Sequence, residues 1–214
     1  SRKLGLIRVL VLLAALTSVG TAQDLRYFTD GDERTFEVRP PVTEPIAAIV
    51  WKFNSDLVAE WVKDIVPLEI FNRFKTRSSL NTNTGSLVIK HMTKDDVGEY
   101  SVEINHQLQS GRYDMKWIPR VNKPEVNITT CSPDSDKCTV TCDGGTAELE
   151  PVYYGWRIGS AGWRILGKDV EINKADHGGV EYITCQMSSS VGEEESDPVR
   201  NPLLPDPVLS AVIG

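Results

Sequence analysis

Cysteine is missing from the first 130 residues of this 214-residue chain, so no disulfide braces that stretch and packing alone must close its core. Histidine occurs three times, as His91, His106 and His177. None stands in a nucleophile elbow or at metal-ligand spacing, which removes the commonest catalytic and zinc-binding readings. Basic residues are outnumbered: 23 Lys and Arg against 30 Asp and Glu leave a formal charge of −7. Without a basic surplus there is no electrostatic footprint for a phosphate backbone, and nucleic acid is excluded as the main partner. No low-complexity or collagen-like repeat is present, and no window carries the apolar stripe of a long amphipathic helix. What remains is 40% hydrophobic and 25% charged, the composition of a folded protein, at a length that suits one or two domains.

Residues 1–22 read as a secretory signal and leave the fold. Arg2, Lys3 and Arg8 form a basic start, Val9 to Leu16 is apolar, and Gly20-Thr21-Ala22 supplies small residues for cleavage. A buried amphipathic helix is the rival, but no polar residue interrupts "VLVLLAAL". Cleavage before Gln23 removes three basic residues and no acidic one, taking the charge from −7 to −10. Such a chain enters an oxidising compartment, where disulfides persist. At the other end Pro198, Pro202, Pro205 and Pro207 suit a stiff stalk over residues 201–214. Val208 to Ile213 is far shorter than the roughly 20 apolar residues of a membrane helix. It reads as the first turns of a span, the start of a lipid-anchor signal, or the tail of a secreted protein.

Between these ends the pattern is β. Alternating segments such as "TFEV", "AIVWKF", "SLVIKHM", "EYSVEI", "YDMKW", "CTVTC", "YYGWRI" and "EYITCQM" are separated by Gly, Pro, Asn, Asp and Ser. In "EYSVEI", Tyr100, Val102 and Ile104 point one way while Ser101, Glu103 and Asn105 point the other, so each strand buries one face and wets the other. The expected class is all-β, built from sandwiches of two antiparallel sheets. "VNKPEV" at 121–126 is a short extended connector that divides the chain near Lys123, with 23–122 on one side and 123–200 on the other.

All four cysteines lie in the second part. Cys142, Trp156 and Cys185 follow the order in which an indole packs on a disulfide between sheets, the mark of an immunoglobulin-type sandwich. Cys142 is therefore expected to join Cys185, which leaves Cys131 for Cys138 across a hairpin turned by "SPDSDK". A zinc site is the rival reading of C-x6-C-x3-C; the secretory context favours disulfides. In the first part Trp51 takes the core indole position. Asp96, Gly98 and Tyr100 form the turn in which an acid braces the loop, glycine frees the backbone and tyrosine starts the next strand. Val102 stands where a second cysteine would be, faced by Phe36 or Val38. Arg77 is placed to pair with Asp96 across the sheet end, against the alternative of two solvated charges worth ~0–1 kcal/mol.

The combination resembles the SLAM (signalling lymphocyte activation molecule) family and the related lymphocyte adhesion receptors and ligands. The residues that carry it are "WKFNSDLVAEW", "TGSLVIKHMTKDDVGEYSVEI", "RVNKPEV", "CTVTC" and "YITCQMSSSVGEE", across nearly all of 24–200. The resemblance implies a variable-type domain without a disulfide (23–122), then a constant-like domain with two (123–200). Two departures stand out. Members of the family usually pair the first cysteine of the "CTVTC" doublet with one in the last strand, and none follows Cys185, so its role passes to Cys131. Ile183 rather than Tyr182 stands two residues before Cys185, where the corner tyrosine belongs.

The resemblance further implies adhesion and signalling between immune cells, with no cofactor and no catalysis. The partner is a protein, a like domain on the facing leukocyte, self or another member. Attachment to the plasma membrane runs through a segment beyond this sequence, with a secreted modulator of such a receptor as the alternative. Binding falls on the outer face of the sheet that holds Trp51. By strand parity that face shows Lys52 and Asn54, then Ser101, Glu103 and Asn105, then Arg112, Asp114 and Lys116. Mixed charge of this kind favours specificity and fast association over affinity. Asn127-Ile128-Thr129 is the single glycosylation sequon. The run Glu193-Glu194-Glu195 belongs to a solvated turn or a sheet edge, where like charges discourage pairing.

Overall fold

The computed structural model describes residues 23–131, 136–145, 149 and 151–205. The signal reading of 1–22, the hairpin tip at 132–135 and the apolar tail at 208–213 fall outside the described residues. Ten strands precede the connector: β1 (Gln23–Phe28), β2 (Arg34–Phe36), β3 (Ala48–Phe53), β4 (Asp56–Val62), β5 (Val66–Ile70), β6 (Ser78–Leu80), β7 (Leu87–Ile89), β8 (Gly98–Ile104), β9 (Gln107–Leu108) and β10 (Arg112–Trp117). Eight more follow: β11 (Glu125–Cys131), β12 (Lys137–Asp143), β13 (Val152–Ile158), β14 (Arg164–Leu166), β15 (Asp169–Asn173), β16 (Tyr182–Ser189), β17 (Gly192–Glu195) and β18 (Val199–Arg200). Among the described residues there are two 3-10 turns, Asn72–Phe74 and Lys94–Asp96, and one α-helical turn, α1 (Lys174–His177), capped by the Asn173 side chain, which accepts from the Asp176 amide.

The strands form four sheets. A seven-stranded sheet runs β1-β10-β8-β3-β4-β5 with β9 beside β8, and the short sheet β2-β7-β6 is its counterpart. In the second part β11-β12-β15 is matched by β14-β13-β16-β17, with β18 beside β16. All pairs are antiparallel except β1 on β10, which is parallel.

Two separate cores result. In the first, Trp51 is fully buried and its indole donates to the Gly85 carbonyl at 2.7 Å, so the one polar atom of the ring is satisfied. Phe36 stacks on Tyr100 with centroids 4.5 Å apart and meets Trp51 and Tyr113 edge-on. Phe36, Val38 and Val102 all lie in this cluster; aromatic packing joins the sheets where no cysteine is present. In the second core Cys142 on β12 is bonded to Cys185 on β16, spanning the two sheets. Trp156 pairs with Cys185 in register and donates its indole proton to the Gly167 carbonyl at 2.9 Å. Cys131 is bonded to Cys138, which stands opposite it on the neighbouring strand.

The segment read as the start of a stalk is partly built into this core. Asn201 is 1% exposed, its amide donating to the carbonyls of His177 and Val180, and Leu203 packs with the buried residues. Leucine escapes the stiffening effect of its proline neighbours and finds an apolar site. Val121, the first residue of the connector, also packs there. Glu193–Glu195 lie exposed on β17, an edge strand.

Candidate functional site

The outer face of the seven-stranded sheet is set by alternation. Ile49 and Trp51 of β3, Tyr100, Val102 and Ile104 of β8, and Tyr113 and Met115 of β10 are buried. The intervening residues Val50, Lys52, Glu99, Ser101, Glu103, Arg112, Asp114 and Lys116 therefore turn outward. Register then assembles them. Lys52 lies opposite Ser101, and Asp114 opposite Glu99. Lys52 Nζ is 2.5 Å from Glu103 Oε1, Arg112 is 2.9 Å from Glu99, and Lys116 is 3.2 Å from Asp114. All are partly exposed, so each pair is worth ~0–1 kcal/mol and can exchange partners.

Two of the expected face residues do other work. Asn54 and Asn105 sit in turns at φ 47° and 50°, the left-handed region that asparagine tolerates. Asn54 Oδ1 accepts from the Glu99 amide at 2.9 Å. Asn105 Oδ1 accepts from the amides of Ala47 and Ala48, while its Nδ2 donates to the Pro45 carbonyl. Their amides are spent on the main chain at the rim.

Other face residues were not singled out from sequence. Glu60 on β4 stands opposite Val50, which turns outward, and opposite Glu69 on β5. Neither acid has an ion-pair partner among the described residues, and like charges directly opposed across strands are unfavourable. Leu25 is exposed and Tyr27 half-buried on β1; they join the face because β1 docks in parallel on β10. The period-two pattern of "DLVAEWV" breaks at Val58 and Ala59, both buried where the β3–β4 register shifts, and nothing local in "QDLRYF" specifies its partner strand. Those facts hid both groups from a strand-by-strand reading.

Below the face lies the turn between β7 and β8. Asp96 is fully buried and held by both terminal nitrogens of Arg77, at 2.9 and 2.6 Å. It also accepts from the Thr93 amide at 2.9 Å, and the Tyr100 hydroxyl donates to its carbonyl at 3.2 Å. Gly98 is needed here because a Cβ would lie 2.5 Å from Asn54 Oδ1. At the β1 edge Asp24 lies 2.8 Å from Arg26 and 3.1 Å from Arg39. The hydrogen bond from Arg26, with the charges of both guanidiniums, holds the Asp24 carboxyl below its usual range. Burial pushes the Tyr113 phenol up; its hydroxyl donates to the Glu37 carbonyl at 2.8 Å. In the second part Trp156 is buried, Ile183 is buried and Tyr182 half-exposed. Asn127 is exposed on β11, an edge strand.

The sequence matches no protein-family model. It is 27% identical over 141 residues to lymphocyte function-associated antigen 3 from Homo sapiens, a match covering 66% of this chain. The chain spans about half the length of that relative, 54%. Among solved structures it resembles the CD2-binding domain of CD58 (lymphocyte function-associated antigen 3), with a TM-score of 0.60, 22% identity, and 84% of this chain and 99% of that one covered. It also resembles murine CEACAM1b, with a TM-score of 0.61, 16% identity, and coverages of 84% and 96%. An all-β protein of immunoglobulin-like fold carrying two disulfides is what the strands, the bonds and these similarities together establish.

Proposed function

We propose that this chain is the outer part of an immune cell-surface adhesion or co-signalling protein, receptor or anchored ligand. It is arranged as a variable-type domain over 23–122 and a disulfide-bearing constant-like domain over 123–200. The similarity to lymphocyte function-associated antigen 3 supports the class, and the resemblance to the CD2-binding domain of CD58 supports a protein partner on an apposed leukocyte. SLAM-family membership belongs to the same reading. The observation that carries the site is the outer face of the seven-stranded sheet. Its bases Lys52, Arg112 and Lys116 are each already matched by an acid, while Glu60 and Glu69 face each other without one. A face with a surplus of acid selects a partner with a surplus of Lys and Arg. Lys52, Ser101, Glu103, Arg112, Asp114 and Lys116 are its contact residues, and Asn54 and Asn105 shape its rim. The protein acts at the cell surface; a secreted modulator of such a receptor is the alternative. Asn127 carries the sugar, on the sheet β11-β12-β15.

The test presents residues 23–205 clustered on beads to leukocytes and to cells expressing the same chain, since clustering makes a weak contact measurable through avidity. Binding to either, lost when Glu103→Lys and Lys116→Glu are combined in a variant that keeps its thermal midpoint, supports the face. Unchanged binding by that variant moves the site elsewhere, and no binding to any cell removes the adhesion reading.

A further inference from the structure

We infer that Gln23 is a modification site, converted to pyroglutamate at the amino terminus of the mature protein. The inference rests on the leader reading of residues 1–22 and is independent of the adhesion reading. Cleavage after Gly20-Thr21-Ala22 makes Gln23 the first residue, and glutamine is the residue whose side chain can consume a free α-amine. The amine nitrogen attacks the side-chain carboxamide carbon. A carbon–nitrogen bond closes the five-membered lactam, the bond from that carbon to Nε2 breaks, and the amide nitrogen leaves as ammonia with the proton from the amine. Nothing is oxidised or reduced and no co-reactant is needed.

The structure gives the reaction a site and a consequence. Gln23 is exposed at the first position of β1, so its side chain is not packed away from the strand start. Its Cα is registered opposite Arg112 on β10. Together with Arg39, Arg112 and Tyr113 it lines an open depression of 480 Å³. The acid in that depression, Asp24, is already shared by Arg26 and Arg39. An α-amine, protonated at neutral pH with an ordinary pKa of about 8, would add a third cation beside them. Ring closure removes that charge. Removing a cation at the strand end registered opposite Arg112 lessens like-charge repulsion there. The lactam thus seals the start of β1 against the edge of the face that β10 contributes.

The full chain is secreted from mammalian cells and its intact mass is read directly from fresh medium, before any digestion that could cyclise glutamine. The expected first peptide starts at residue 23, is lighter than its glutamine form by one ammonia, and resists aminopeptidase until pyroglutamyl peptidase is added. A chain starting at an open Gln23 overturns the proposal alone. A chain starting anywhere else overturns the leader cleavage and the proposal with it. The second arm compares wild type with Gln23→Ser, which keeps its amine. Faster hydrogen exchange of the β1 amides in the variant supports the sealing role, and identical exchange overturns it.

Discussion

At the scale of single residues the strongest commitments surround Asp96. A carboxylate with no exposed surface is tolerated because a bidentate guanidinium, a backbone amide and a short turn surround it. Arg77→Ala leaves that charge buried with only the more distant Arg73, 3.4 Å away, to answer it. The expected cost is about 3 kcal/mol in urea unfolding, the range for breaking a buried pair; a loss below about 1 kcal/mol would class the pair with exposed ones. Gly98→Ala drives a methyl into Asn54 and should cost about 1–3 kcal/mol by the same measurement, as overpacking does. Tyr100 and Tyr113 give the fold a base-sensitive edge. Burial raises both phenols, and for Tyr100 the Asp96 charge adds to it. Unfolded phenols ionise near pH 10, so the stability these residues contribute is complete below that and is lost as pH climbs beyond it. Absorbance titration should show two of the tyrosines ionising only with alkaline unfolding, and Tyr113→Phe should remove one of them.

Among elements, the two disulfides differ by what they close. Cys142–Cys185 is separated by 43 residues and ties one sheet to the other, whereas Cys131–Cys138 is separated by 7 and ties a strand to its neighbour. Loop-closure entropy assigns about 4 kcal/mol to the first and between about 2 and 3 to the second. Paired replacement by alanine, followed by denaturant unfolding, should reproduce that order; equal losses would point to native-state strain in place of chain entropy. The end of the chain offers a parallel contrast. Prolines on either side of Asn201 and Leu203 read as a rod, yet the Asn201 amide bonds back to α1 and to the loop after it. Truncation after Arg200 should lower the thermal midpoint measurably, and an unchanged midpoint would mean that Asn201 and Leu203 add nothing to the second core.

For the whole molecule the deciding property is charge distribution. The face balances its bases internally and keeps an acidic remainder on β4 and β5. Association with a basic partner should therefore slow as salt rises, because screening acts over about 8–10 Å at physiological ionic strength. Replacing Glu60 and Glu69 together with Gln should flatten that salt dependence in surface-binding kinetics while stabilising the fold slightly, since it relieves a like-charge pair. A salt slope identical to that of the wild type would remove these acids from the interface.

Much of this was legible in the amino acids. Strict alternation around Trp51, Tyr100 and Tyr113 already separates core from face, and the Cys142, Trp156, Cys185 order already names an inter-sheet bridge, because both depend on local periodicity and residue chemistry. The sequence by itself determined the all-β class, the apolar inner faces of the strands and the identity of the exposed bases. Only the tertiary structure decided that β1 lies parallel beside β10 and that Glu60 meets Glu69. It also decided that Asn54 and Asn105 serve the backbone and that Leu203 returns to the core. These are matters of register and of contacts between residues distant in the chain. A strand's own pattern says which side is wet and leaves open which neighbour it will have.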